Sequence, residues 1–324
     1  MRAPSFWHKP GVLGNLLSPL SILWHVGTSV RNIFSAVPWT APIPVVCIGN
    51  VTTGGAGKTP VAIDLTRALM AKGLEPHLLS RGFGGTLSGP IRVDRQVHSA
   101  ADVGDEPLLL ADAAPTWVSR DRIMGAQAAI SNGASIIVMD DGFQNPSICK
   151  TLSILVIDGE YGFGNGKILP AGPLRETPSS GLARCDAVVL IGEDRHNVTH
   201  LIGDKCTIYR ARIVAYADPE IIDKRVFAFA GIARPSKFYQ TLLEMGCDVA
   251  GTTDFDDHHK FQPDEIMKLC DTASALDAIP VTTEKDYIRL PKGARALIKT
   301  VRISLEWEKE NARDLILKDI LADG

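Results

Sequence analysis

The six cysteines of this 324-residue chain, Cys47, Cys149, Cys185, Cys206, Cys247 and Cys270, never pair as C-x-x-C. That scatter removes the spacing a zinc site or a disulfide framework would need, and it fits a reducing compartment. Basic residues are not in excess: the net charge is −3, which gives no support for nucleic-acid binding. Low-complexity tracts and internal repeats are absent as well, so a solenoid or a disordered chain is excluded. What remains is an ordinary globular composition, 45% hydrophobic and 22% charged, long enough for two domains of ~100–200 residues each.

Charge is missing from one further place. Between Val12 and Val30 there is no Asp, Glu, Lys or Arg. Leu13, Leu16, Leu17, Leu20, Leu23, Trp24 and Val30 recur there at helical spacing, with Asn15, Ser18, His25 and Thr28 opposite them. Those polar groups and Pro19 make a poor bilayer span, which needs ~20 predominantly apolar residues. A helix lying in a membrane interface suits the pattern better. Packing of the same stripe on its own domain is the plain alternative.

The stretch NVTTGGAGKTP, Asn50 to Pro60, follows the apolar run PVVCIG and also lacks something. Counting back from Gly57-Lys58-Thr59 puts Thr52 where a G-x-x-x-x-G-K-[ST] phosphate loop has its first glycine. The second half is intact. Residues Thr52, Thr53, Gly54, Gly55, Ala56 and Gly57 would turn backbone N–H groups toward phosphates, Lys58 would supply a cation, and Thr59 a hydroxyl for Mg²⁺. Context favours this over a ligand-free turn. PVVCIG reads as a buried strand, and VAIDLTRALMAKG as a helix with Val61, Leu65, Ala68 and Leu69 on one face and Gly73 as its stop. ATP and Mg²⁺ are the expected cofactors. The basic start (Arg2, Lys9) also admits a secretory leader, but export would take this loop away from cytosolic ATP.

Further apolar runs, PHLLS, ASIIVMD, LSILVID and DAVVLIG, alternate with helical or loop sequence and read as buried parallel strands. The alternation predicts an α/β, P-loop NTPase-like, doubly wound and mainly parallel sheet, with ligands at the carboxyl ends of its strands. A polar segment, YADPEIIDK, then precedes RVFAFAGIARPSKFYQTLLEMG, IPVTTEKDYIRL and TVRISLEW, which suggest a second, smaller α/β domain. The expected division is 1–35 for the amino-terminal helix region, 36–218 for the P-loop domain and 219–324 for the smaller one, each boundary good to roughly ten residues.

The chemistry-bearing residues sit at the ends of these runs. IIVMDDGFQN carries Asp140 and Asp141 off a strand end, as a Walker B carboxylate must be to reach Mg²⁺ beside a phosphate loop. Arg81 in SRGFGG, Arg122 in SRDRIMG and Arg175 in PAGPLRE lie in loop-like settings, where a guanidinium can grip phosphate in a bidentate way. Each alone is more often a solvated surface charge, and the glycine- and proline-rich surroundings raise the functional reading modestly. Asp105 and Glu106, in VGDEP before PLLLADAA, are either a helix cap or the place of a general base. FDDHHKF adds Asp256, Asp257, His258 and His259; adjacent side chains diverge, so one functional histidine is a better reading than a metal pair.

Taken in order, the apolar amino terminus, GNVTTGGAGKTP, SRGFGG, GDEP, DDGFQN, PAGPLRE, FAGIARP, DHHKF and TTEKD resemble the tetraacyldisaccharide 4'-kinases of lipid A biosynthesis. The resemblance spans most of the chain, and that family's phosphate loop also has no glycine at the Thr52 position. It departs at Phe83, where the family often has Tyr, and at Asn145, where it often has His. The resemblance implies transfer of the ATP γ-phosphate to the 4'-hydroxyl of a tetraacylated glucosamine disaccharide 1-phosphate, making lipid IVA. It implies that Lys58 and Thr59 hold phosphates and Mg²⁺, that Asp140 or Asp141 holds the metal, that Asp105 is the base, and that His258 tunes it. It also implies a peripheral enzyme on the cytoplasmic face of the bacterial inner membrane, whose partners are the lipid disaccharide and the membrane surface, with no nucleic acid and no obligate protein partner. A partition-type ATPase would carry a lysine where Thr53 stands. A small-molecule P-loop kinase whose first helix packs internally is the other alternative.

Overall fold

The structure is a computed structural model that describes residues 4–33 and 37–322. The expected junction at residue 35 lies outside the described residues, as do the side chains of His25, Thr28 and Val30. Among the described residues, twelve strands form one sheet. They are β1 (Val45–Gly49), β2 (Pro76–Ser80), β3 (Ile91–Arg92), β4 (Thr116–Val118), β5 (Ile136–Asp140), β6 (Leu152–Asp158), β7 (Ala187–Ile191), β8 (Thr207–Ala217), β9 (Arg225–Ala230), β10 (Asp248–Asp254), β11 (Ile279–Thr283) and β12 (Lys299–Trp307). Their order is β10-β9-β11-β12-β8-β7-β6-β1-β5-β2-β4-β3. Only the β8/β12 and β3/β4 pairs are antiparallel.

β1 is apolar and buried along its whole length because both of its faces are covered. Val45 and Cys47 point into one core layer, Val46 and Ile48 into the other. The second layer includes Val61, Leu65 and Leu69 of the helix Lys58–Ala71, the stripe read from the sequence. Burying each such side chain contributes about 1.5–3 kcal/mol. Because β1, β2, β4, β5 and β6 run parallel, their carboxyl ends share one edge, and the phosphate loop, Arg81, Arg122 and Asp140 all leave from it.

β9 to β12 continue the same sheet through the β8/β12 pair, with a core on each face: Val226 and Ala228 on one, Phe227 and Phe229 on the other. The helix Lys58–Ala71 touches β1, β2 and β5 and also β12, so the later strands wrap back over it. Trp307 Nε1 donates to Asp64 on that helix (2.8 Å), and Ile316, Leu317 and Ile320 of the helix Ala312–Ala322 complete the earlier core. Ile288, from the later half, packs with Val93, Val103, Leu108 and Val118. That contact sets the helix Glu284–Arg289 against the helix Asp105–Leu110.

The amino-terminal helix spans Val12–Ile33. It meets the protein with small and polar groups: Gly14 faces the Ala171 carbonyl, Ser21 Oγ donates to the Ile168 carbonyl (2.7 Å), and Lys167 Nζ donates to Ser18 Oγ (2.9 Å). Leu16 and Leu23 are left 74% and 69% exposed, with Val12, Leu13, Leu20 and Trp24 also exposed. No helix among the described residues is long and apolar enough to cross a membrane.

Candidate active site

The phosphate loop joins β1 to the helix Lys58–Ala71. Gly57, at its end, takes φ +86°, and a Cβ there would meet Ile191 Cδ1 at 2.5 Å, so both backbone angle and space require glycine. Thr52 needs no such freedom, since its φ is not positive. Its hydroxyl instead accepts from Asn50 Nδ2 (3.2 Å), and its backbone bridges Leu174, while Thr53 N–H donates to the Pro173 carbonyl (2.8 Å). The segment PAGPLRE therefore braces the loop from outside. A threonine stands in place of the first glycine because the chain here is extended and held.

Lys58 is buried, with Nζ 3.2 Å from Asn50 Oδ1 and 3.5 Å from Asp141 Oδ1. Asp141 is also held by Arg175 Nη1 at 2.8 Å. Burial alone would raise the Asp141 pKa, but Lys58 and Arg175 outweigh it and hold the carboxyl below its usual range. Gln144 ties the group together, accepting from Arg175 (3.2 Å) and donating to the Asn50 carbonyl (2.7 Å) and Glu176 (3.1 Å). Asn50, Gln144 and Glu176 lie inside the quoted motifs, yet their roles emerge only from these contacts.

Asp140 differs sharply from its neighbour. It is fully enclosed, and neither carboxylate oxygen has a hydrogen-bond partner. Burial, then the nearby Glu106 carboxylate, pushes its pKa up to about 7 against the opposing Lys58. A buried carboxyl without partners costs stability unless a cation or donor meets it. Among the described residues no cluster of three or more His, Cys, Asp or Glu could hold a metal alone. The donor set of one carboxylate, the Thr59 hydroxyl and phosphate or water oxygens is the one Mg²⁺ takes beside a nucleotide. The residues present fit that ion.

Two of the expected arginines face the same edge. Arg122 is buried, donates through Nη1 to the Ser119 carbonyl, and has an Nε with no acceptor. Burial, then the Arg81 guanidinium, presses its pKa down to about 10, while Asp141 and Asp140 act in the opposite sense. Arg122 thus keeps one guanidinium nitrogen without an acceptor and feels the Arg81 charge. Arg175 is already engaged by Asp141.

Asp105, 4% exposed at the start of its helix, lies beneath the later half. His258 Nδ1 stands 3.0 Å from Asp105 Oδ2, with Arg289 Nε at 3.6 Å and Lys285 Nζ at 3.7 Å from the same oxygen. Burial would raise this carboxyl, but the His258 hydrogen bond and the Lys285 and Arg289 charges hold it well below the usual carboxylate range. An ionised carboxylate only accepts, so His258 donates through Nδ1–H. The Phe83 ring stands edge-on to the imidazole, 6.0 Å between centroids. His259 instead bonds Glu265 (3.0 Å), in the first turn of the helix Pro263–Ala275, which resolves the histidine pair of FDDHHKF into one facing Asp105 and one turned toward that helix. Lys285 and Arg289 were not singled out by sequence: TTEKD holds Lys285, and Arg289 lies in IPVTTEKDYIRL, read only as part of the smaller domain.

A family model described as tetraacyldisaccharide-1-P 4'-kinase matches residues 13–321. A tetraacyldisaccharide 4'-kinase of Rhodospirillum centenum is 49% identical across 99% of this chain and 97% of its own, and one of Rhodospirillum rubrum is 44% identical across 99% and 98%. Among solved structures, LpxK from Aquifex aeolicus in complex with ATP is 25% identical, covers 95% of this chain and 99% of its own, and superposes with a TM-score of 0.76. The phosphate loop, the paired aspartates and these matches agree: the chain belongs to the tetraacyldisaccharide-1-P 4'-kinase family.

Proposed function

We propose that the chain transfers the γ-phosphate of ATP to the 4'-hydroxyl of a tetraacylated glucosamine disaccharide 1-phosphate, forming lipid IVA for lipid A. The observation that carries this reading is the placement of buried Lys58 and an unpartnered Asp140 at one sheet edge, in a chain that also brings Asp105 and His258 together. In this reading the residues from Thr52 to Thr59 wrap the phosphates and Lys58 leaves Asp141 for the β/γ oxygens. Arg81 and Arg122 meet charge that develops on the transferring group. Arg175 keeps Asp141 in place and stands next to the same phosphates. Asp140 and Thr59 would hold Mg²⁺, which would supply charge neutralisation at the phosphate oxygens.

The sugar hydroxyl attacks phosphorus, the bond from γ-phosphorus to the bridging oxygen breaks, ADP leaves, and the hydroxyl proton passes to Asp105. A carboxylate with so depressed a pKa is a weak base. Proton transfer therefore follows attack, when the oxygen has become acidic, as expected for a loose transition state. His258 fixes which way the carboxylate points. In this reading the chain divides at 218/219, after β8, with Asp105 on one side and His258 on the other.

The outward apolar face of the helix Val12–Ile33 supports seating on the cytoplasmic face of the inner membrane, because a four-chain lipid leaves a bilayer at ~0.8 kcal/mol per CH₂. The enzyme comes to the lipid. Supplying ATP labelled at the γ-phosphate together with the lipid disaccharide in mixed micelles tests the reading: label moves into the organic phase, and label released only as inorganic phosphate counts against it.

A further inference from the structure

The hydrogen bond between His258 and Asp105 depends on a loop held in an unfavourable backbone conformation. His258 has φ +60°, in the left-handed region that residues with a Cβ avoid. Its N–H donates to the Gly231 carbonyl at 3.1 Å. The same carbonyl accepts from Arg289 through both Nη1 (3.1 Å) and Nη2 (3.0 Å), and Arg289 Nη1 also reaches the His259 carbonyl (3.4 Å). Nε of this guanidinium donates to the Lys285 carbonyl (3.2 Å) and lies 3.6 Å from Asp105 Oδ2. One buried cation therefore touches the carboxylate, the anchor of the histidine backbone and the residue after the histidine.

Arg289 is fixed in turn. Asp286, with no exposed surface, pairs with Arg289 Nη2 at 2.9 Å, accepts the Gly231 N–H at 3.0 Å and receives the Thr283 hydroxyl at 2.6 Å. The carboxylate and the guanidinium thus clamp Gly231 from its two sides, N–H and C=O. A lysine at 289 would keep the charge and lose the planar fork that makes these contacts together.

We propose that Arg289, locked by Asp286, is the positioning residue that sets the His258 imidazole against Asp105. This rests on the reading of Asp105 and His258 as a catalytic pair. Arg289 also lies 3.6 Å from the Asp105 carboxylate, a charge that lysine at 289 keeps, and the positioning effect passes through the histidine. A displacement on the order of 1 Å at a reacting group costs ~10²-fold, so Arg289→Lys should lower kcat by roughly 10- to 100-fold with the KM for ATP unchanged.

The test is a cycle in the full-length enzyme: Arg289→Lys, His258→Ala and the double variant, each assayed for kcat and for both KM values, with melting followed in parallel. Asp286→Asn, which keeps shape and removes charge, runs through the same cycle should the lysine variant fail to fold. Expected is that Arg289→Lys or Asp286→Asn costs less than about twofold once the imidazole is gone, since groups serving one step are not additive. A His258→Ala defect that multiplies fully with the second change overturns the positioning role alone. Unaltered turnover in His258→Ala removes the catalytic pair, and this role with it.

Discussion

His258 Nδ1 and Asp105 Oδ2 lie 3.0 Å apart although 153 positions separate the residues in sequence. A helix start in one half of the sheet and a loop in the other contribute one group apiece. General-base removal costs ~10²–10⁴-fold. Asp105→Asn and His258→Ala should therefore each lower kcat within that range while ATP affinity, measured by calorimetry, stays put. The double variant should be far less impaired than the product of the two. Independent, multiplicative losses would dissolve the pair.

Asp140 and Asp141 are adjacent but not equivalent. Asp141 already neutralises Lys58 and Arg175, whereas Asp140 has no partner. Asp140→Asn should raise the Mg²⁺ concentration for half-maximal rate on the order of 10-fold or more, by analogy with the loss of a group that orients a metal site. Asp141→Asn should chiefly change the KM for ATP. Mn²⁺ binding followed by paramagnetic resonance distinguishes them, and equal loss of metal in both variants would refute the assignment.

Acid stability carries a signature of Asp105. Its native pKa lies below the ~3.9 of an unfolded aspartate, so the unfolded chain binds more protons between those values. The stabilisation is therefore complete above about pH 4 and fades as pH falls toward the native pKa. Asp105→Asn should be less stable than the parent at pH 6, with the difference in urea midpoint narrowing by pH 3. A gap of constant size would mean that the surrounding cations do not act on this carboxyl.

For the outward face of the first helix, Leu16→Glu together with Leu20→Glu should weaken binding to anionic liposomes in a flotation assay and raise the apparent KM for bilayer-presented lipid, with ATP binding intact. Loss of folding in this variant would point to internal packing of the stripe instead.

Much of the site edge was legible because its signals are local. β1, the phosphate loop and the helix Lys58–Ala71 announce themselves by an apolar run, glycines and a 3.6-residue stripe within 30 consecutive positions. β4 has only three residues and shows no period, and β8, half-exposed along its length, carries Arg210 and Arg212 among its apolar residues and forms no clean buried run, so neither strand was anticipated. Without β8 the single sheet could not be foreseen, since it pairs with β12 across a long gap in the chain. The stripe of the first helix was legible, but periodicity does not say which face meets protein. Here the small residues Gly14, Ser18 and Ser21 do. Asp286 closes TTEKD and Arg289 lies just beyond it, but their role was not legible there, because a buried ion pair is meaningful only once Gly231 and His258 have been brought to it.

The account rests on phosphate reaching one hydroxyl. Purified enzyme, ATP and Mg²⁺ with the lipid disaccharide, followed by mass spectrometry, tests it most directly, with a 4'-deoxy analogue and Lys58→Ala as companions. One added phosphate is expected on the distal sugar of the native lipid, none on the analogue, and a rate lower by on the order of 10²-fold or more in folded Lys58→Ala. Consumption of ATP with the lipid mass unchanged, or equal phosphorylation of the 4'-deoxy analogue, would contradict it.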